Sequence, residues 1–184
     1  MALIGHSLEA TIVDIGGGYG QTSCAIAKEF PKLKFVVQDL PDVIAEGKAT
    51  CPPDLQDRVA FQEHDFFEPQ PIHDADIYMF KAIIHDWADE PAAKLLRSVA
   101  LAMKPEARIL LVDGVKYEPG VLKQHEDRSL RAVDLTVWTC LGTGERELDT
   151  YRKIISDSDS RLEIRNVFRP RGAVYSIIEI GFKR

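Results

Sequence analysis

One histidine stands where a proton could be moved, in the stretch Lys81-Ala82-Ile83-Ile84-His85-Asp86-Trp87. Imidazole has a reference pKa of about 6.5, so near pH 7 it is largely neutral and can act as a general base. Two acids further along suit the task of orienting it. Asp113 ends the run Ile109-Leu110-Leu111-Val112, and Glu145 lies in Gly142-Thr143-Gly144-Glu145-Arg146-Glu147. A carboxylate on the second ring nitrogen would fix the tautomer and stabilise the imidazolium. The plainer alternative for His85 is a structural ring, or a partner for an Asp86 cap.

A second set of residues reads as a ligand cradle. The apolar run Thr11-Ile12-Val13-Asp14-Ile15 ends in Gly16-Gly17-Gly18-Tyr19-Gly20 and passes into a helix-like segment closed by Pro31. Strand, glycine turn and helix together open a nucleotide pocket at the carboxyl edge of an α/β sheet. Glycine is needed where backbone approaches a ligand closely or takes positive φ. Gly16, Gly18 and Gly20 fit G-x-G-x-G. The dinucleotide fingerprint fails at Gln21 or at Ser23, depending on where it starts, and no Gly-Lys-Ser/Thr completes a P-loop. The pattern suits an S-adenosylmethionine (SAM) pocket, which cradles no pyrophosphate; an ordinary tight turn is the alternative.

Two more acids extend that cradle. Asp39 follows the second apolar run and can accept hydrogen bonds from ribose hydroxyls, or it caps the next helix. Asp65, in His64-Asp65-Phe66-Phe67, can receive an adenine amino group while Phe66 covers the ring. Two core phenylalanines beside a loop acid would look the same.

These residues need a scaffold that collects strand ends on one rim. Strands are expected at Thr11–Ile15, Leu33–Gln38, Arg58–Gln62, Ala75–Phe80 and Arg108–Val112, with Leu162–Phe168 and Ala173–Ile180 forming a closing hairpin around Arg169-Pro170-Arg171-Gly172. Helices fall between them: Tyr19–Phe30, one from Leu40 to about Lys48, one opened by Asp89 as N-cap and ended by Pro105, Arg128–Trp138, and Leu148–Ser156. The alternation predicts an α/β fold: a doubly wound, mostly parallel seven-stranded sheet with an antiparallel C-terminal hairpin, in one domain over residues 1–184.

Composition narrows the partners. A net charge of −6 with no basic block argues against nucleic acid and against an anionic membrane surface. No apolar run reaches the length of a membrane span, and Met1–His6 lacks a signal-peptide pattern. The 3 cysteines, Cys24, Cys51 and Cys140, are widely spaced with no C-x-x-C, so neither a disulfide framework nor a zinc site is suggested. Each is expected to be a small buried or half-buried residue, in a reducing, cytoplasmic compartment.

The ordered set Asp14-Ile-Gly-Gly-Gly-Tyr-Gly20, Gln38-Asp-Leu-Pro41, His64-Asp-Phe-Phe-Glu-Pro69, Lys81-Ala-Ile-Ile-His-Asp-Trp-Ala-Asp-Glu90, Leu111-Val-Asp113 and Gly144-Glu-Arg146 resembles SAM-dependent O-methyltransferases of the caffeate/isoflavone type, found in plants and in fungal secondary metabolism. The resemblance spans about residues 9–181 and implies a class I methyltransferase fold. It implies that Gly16 and Gly18 line the cofactor, that Asp39 binds ribose, and that Asp65 and Phe66 hold adenine. Lys81 would lie near the sulfur-bearing chain of SAM. His85 would be the base, flanked by Asp113 and Glu145, and Asp86 would border the acceptor. The implied reaction methylates a phenolic hydroxyl of a small metabolite without a metal. Family members also carry an N-terminal helical domain that makes a homodimer and covers part of the acceptor pocket. Strand 1 begins here near residue 11, so that domain is expected to be missing.

Two other readings stay open at this level. One is a relative of the same fold that binds SAM but catalyses an elimination or pericyclic step. The other is a non-catalytic SAM-binding module. A NAD-dependent dehydrogenase is disfavoured by the glycine spacing.

Overall fold

The computed structural model describes residues 9–184, so the signal-peptide reading of Met1–His6 falls outside the described residues. Its strands are β1 (Ala10–Ile15), β2 (Leu33–Asp39), β3 (Val59–Glu63), β4 (Ile77–Lys81), β5 (Arg108–Asp113), β6 (Val115–Lys116), β7 (Arg146–Glu147), β8 (Leu162–Phe168) and β9 (Ser176–Phe182). The helices are α1 (Gln21–Glu29), α2 (Pro41–Thr50), α3 (Asp89–Ala102), α4 (Gln124–Leu141) and α5 (Leu148–Ser158). Seven strands form one sheet in the order β3-β2-β1-β4-β5-β9-β8. The first five are parallel; β9 runs antiparallel to both β5 and β8.

The expected doubly wound sheet is therefore present, with the hairpin on its edge. Helices cover both faces, which is why the central strands read as apolar runs rather than alternating ones. On one face Val13, Ile15, Tyr78, Phe80, Ile109 and Leu111 meet α3 and α5. On the other Ile12, Leu33, Phe35, Val37 and Val59 meet Cys24, Ala27 and Ile44. The stripe Ala92, Leu95, Leu96 and Val99 on α3 is at most 1% exposed. Each fully buried leucine or isoleucine contributes about 1.5–3 kcal/mol.

Several boundaries differ from expectation. α3 begins at Asp89 itself, and Ala88 is the N-cap; the Asp89 carboxylate bonds Arg146 instead of capping. α4 is longer than its apolar pattern suggested, because only Leu130 and Val137 are buried and the termini carry the signal. At its start the Lys123 amide donates to Glu126, and at its end Gly142 takes the left-handed conformation at φ 71° while its amide donates to Trp138. The short ladder β6–β7, pairing Val115 with Arg146 and Lys116 with Glu147, was not expected. Cys24 and Cys51 are buried, whereas Cys140 is exposed, contrary to expectation. It lies in the last turn of α4 among the exposed Trp138 and Leu141, outside the core.

β1 lies between β2 and β4, so the connections leaving its two neighbours diverge there. A crevice opens beyond the carboxyl ends of strands at such a switch point.

Candidate active site

The glycine turn follows directly from β1. The amides of Gly16 and Gly17 both donate to the Gln38 carbonyl, at 2.8 and 3.1 Å, tying the turn to the end of β2. Gly16 has φ +67°, and a Cβ there would meet Ile83 Cδ1 at 2.6 Å. The missing side chain leaves backbone open to the crevice. Asp39 reaches across from β2: Oδ2 accepts the Gly18 amide at 2.8 Å and Oδ1 accepts the Leu40 amide at 2.8 Å. Each carboxylate oxygen keeps a second lone pair for a hydroxyl donor. Beneath the turn, Asp14 is 1% exposed and accepts a bond from Ser23 at 2.6 Å. Burial pushes its pKa up to about 6, with the Ser23 bond opposing.

Gly16, Asp39, Leu40, His64, Asp65, Phe66, Phe67, Ile83 and Trp87 surround a crevice of about 340 Å³. Asp65 Oδ1 accepts the Phe67 amide at 2.9 Å, which shapes the loop after β3. Phe66, Phe67 and Trp87 pack edge to face, with centroids 4.7 to 6.0 Å apart. The structure thus brings together Gly16, Asp39, Asp65 and Phe66. Gly18 touches the crevice only through Asp39. Lys81 stands exposed at the end of β4, away from the crevice lining but near enough to Asp14 to lower its pKa.

His85 is carried by the 3-10 turn Ile84–Asp86, whose neighbours Ile83 and Trp87 are walls of that crevice. The imidazole is 4% exposed, and its Nδ1 lies 2.7 Å from Glu145 Oε1 and 3.7 Å from Asp113 Oδ1. Glu145 can only accept, so the bond assigns the Nδ1 proton to the ring and leaves the Nε2 lone pair free in the neutral form. Asp86 Oδ1 is 3.4 Å from Nε2, and Asp86 is half-buried. Burial disfavours the charged ring. The Glu145 bond and the charges of Asp113, Glu145 and Asp86 outweigh it, so the His85 pKa lies above its ordinary value.

The acids feel the same dry space. Asp113 is fully buried, and neither of its oxygens, nor Glu145 Oε2, has a hydrogen bond of good geometry. Burial pushes the Asp113 pKa up to about 7, opposed chiefly by His85. Burial also raises Asp86 and Tyr151; the Tyr151 hydroxyl donates to the Gly114 carbonyl at 3.1 Å. The ladder β6–β7 is what brings Glu145 beside the end of β5. A Cβ on Gly114 would overlap the Glu145 carboxyl group.

Residue types alone missed several parts. Tyr175 stacks edge-on against His85, centroids 5.8 Å apart, from the loop before β9. Nothing local in the sequence signals this. Arg146 and Thr143 contact the turn bearing His85. An arginine directly after Glu145 was an available clue. Met79 is 5% exposed in the core, and Trp87 lines the crevice. Trp138 is 63% exposed and borders an open groove with Leu135, Thr143 and Glu145.

A mostly parallel sheet with this strand order and an antiparallel C-terminal hairpin, a glycine turn after β1 and an acid after β2 defines a class I, SAM-binding methyltransferase domain. A family model described as an O-methyltransferase domain matches residues 5–159, and the chain belongs to that family. It is 39% identical over 178 residues to the O-methyltransferase aoiF of Aspergillus oryzae, covering 94% of this chain and 42% of that protein. It is 42% identical over 171 residues to the grayanic acid biosynthesis cluster O-methyltransferase of Cladonia grayi, covering 92% of this chain and 38% of that protein. The chain therefore spans about two-fifths of the length of these curated relatives. Among solved structures, mitomycin 7-O-methyltransferase MmcR superposes with a TM-score of 0.84 at 30% identity, over 98% of this chain and 51% of that one. LepI in complex with SAM superposes at 0.82 with 25% identity, over 99% and 45%. SAM is the cofactor of this domain, and the open backbone at Gly16, the Asp39 carboxylate and the Phe66 face fit its adenosine portion.

Proposed function

We propose that this chain moves a methyl group from SAM to a phenolic hydroxyl of a small secondary metabolite, with His85 as general base. The observation that carries the reading is the His85–Glu145 pair at 2.7 Å, backed by buried Asp113, on a turn whose flanks wall the cofactor crevice. When bound, SAM supplies an electrophilic methyl group on a sulfonium centre. Gly16, Gly18, Asp39, Asp65 and Phe66 would hold its nucleoside end, and Lys81 would serve its amino-acid end. His85 Nε2 takes the acceptor's proton. Glu145 holds Nδ1–H and shares the charge that develops, and Asp86 borders the entering hydroxyl.

Magnitudes support the assignment. A phenol with a pKa near 10 facing an imidazole near 6.5 leaves a gap of about 3.5 units, roughly 5 kcal/mol for complete transfer. The raised pKa of His85 narrows that gap. Positioning of the two reactants covers several kcal/mol of what is left. The greater length of the relatives supports a further part of the proposal: Leu135, Trp138 and Leu141, 52–63% exposed on α4, pack against a dimer-forming region that closes the acceptor pocket.

The test is incubation with methyl-labelled SAM and a panel of phenols. Label in the product is expected, and His85→Gln should abolish it while changing SAM affinity by no more than about threefold. A structural neighbour that is a pericyclic reaction enzyme, at 25% identity, motivates the competing outcome. Substrate consumed without label in the product would establish that chemistry instead.

A further inference from the structure

The turn that carries His85 is weakly held by itself. It spans three residues, has no side-chain cap, and closes with a Trp87 amide bond to the Ile84 carbonyl at 3.3 Å. Short 3-10 turns have poor hydrogen-bond geometry. The restraint comes from the segment that delivers Glu145. Arg146, 7% exposed, donates from Nη1 to the Ile84 carbonyl at 2.9 Å, from Nη2 to the Trp87 carbonyl, and from Nε to Asp89 Oδ1 at 2.9 Å. Thr143 Oγ1 donates to the His85 carbonyl at 2.7 Å. Three of the four carbonyls from Ile84 to Trp87 are therefore gripped by one short segment, the loop into β7 and its first residue.

We propose that Arg146 and Thr143 are positioning residues, clamping the turn so that the His85 ring stays against Glu145. Neither reaches a reacting atom. The planar guanidinium is needed because its donors diverge to three different residues, which a single ammonium cannot span. The proposal deepens the reading of His85 as the base and rests on it for its catalytic consequence, but the clamp itself is a matter of geometry.

The experiment compares the wild-type chain with Arg146→Lys, Thr143→Val and Asp89→Asn. Nitrogen-15 NMR follows the His85 ring through a pH titration, alongside labelled methyl transfer. Glu145, Asp113, Asp86 and Tyr175, the titratable groups facing the ring, are unchanged in all three variants, so a moved titration reports geometry. Arg146→Lys and Thr143→Val should each bring the His85 titration down toward the ordinary value. Each should also lower kcat by about 10- to 100-fold, the cost of a misplacement near 1 Å. SAM affinity should hold. Asp89→Asn keeps both carbonyl bonds and should titrate as wild type. Less stable variants whose folded fraction shows the wild-type titration and kcat would overturn the proposal. If Arg146→Lys does not fold, Thr143→Val decides alone, since it keeps the guanidinium. A moved titration in a chain that never methylates would leave the clamp standing and remove the base assignment. Methylation with an unmoved titration would do the reverse.

Discussion

Asp39 shows how one carboxylate serves two tasks. It pins the glycine turn through the Gly18 amide, and its remaining lone pairs face the crevice. A hydrogen bond to a charged acceptor contributes about 1.5–3 kcal/mol, so Asp39→Ala should raise the SAM dissociation constant by about 10- to 100-fold, read by calorimetry. Unchanged affinity would remove the ribose assignment. For His85 the sign of the pH dependence is set by its raised pKa. The ring must be neutral to accept a proton, so kcat/KM should rise with pH through a midpoint above the ordinary imidazole value of about 6.5. A midpoint below that value would mean burial dominates the ring. These residue types and their order were legible in the sequence. The tautomer, the Tyr175 edge and the grip of Arg146 were not, because each depends on a partner distant in the chain.

At the scale of elements, the ladder β6–β7 decides where Glu145 sits. Its register places Gly114 opposite the carboxylate, with no room for a methyl group. Gly114→Ala should displace Glu145, cost about 1–3 kcal/mol in urea unfolding through overpacking, and depress methyl transfer. Full activity in that variant would show that Glu145 need not hold its place. Two-residue strands carry almost no sequence pattern, which is why this ladder was unexpected while the apolar runs of β1, β4 and β5 stood out. α4 outruns its apolar pattern for a related reason: its burial is sparse, and its ends are set by Glu126 and Gly142 rather than by an apolar stripe.

At the scale of the whole molecule, the buried acids make stability fall as pH rises. In the unfolded chain an aspartate ionises near 3.8, whereas folded Asp14 and Asp113 hold their protons to about 6 and about 7. Between those limits the native state binds more protons, so alkalinisation favours unfolding. His85 adds to the trend, since its raised pKa gives stability that is lost as pH rises through it. Denaturation midpoints should therefore drop from pH 5 to pH 8, and Asp113→Asn should flatten the drop; an equal drop in that variant would place the titration elsewhere. The sequence by itself determined the doubly wound sheet, the glycine turn, and the order in which one histidine and its neighbouring acids follow the strand ends, because periodicity and residue chemistry are local properties. Tertiary structure alone decided which atoms meet: that Nδ1 faces Glu145, that Asp113 is sealed without a good partner, and that one loop grips the histidine's turn. Those contacts join β4, β5 and the segment before α5 across long stretches of chain, and only the packing of the sheet and its helices sets their distances.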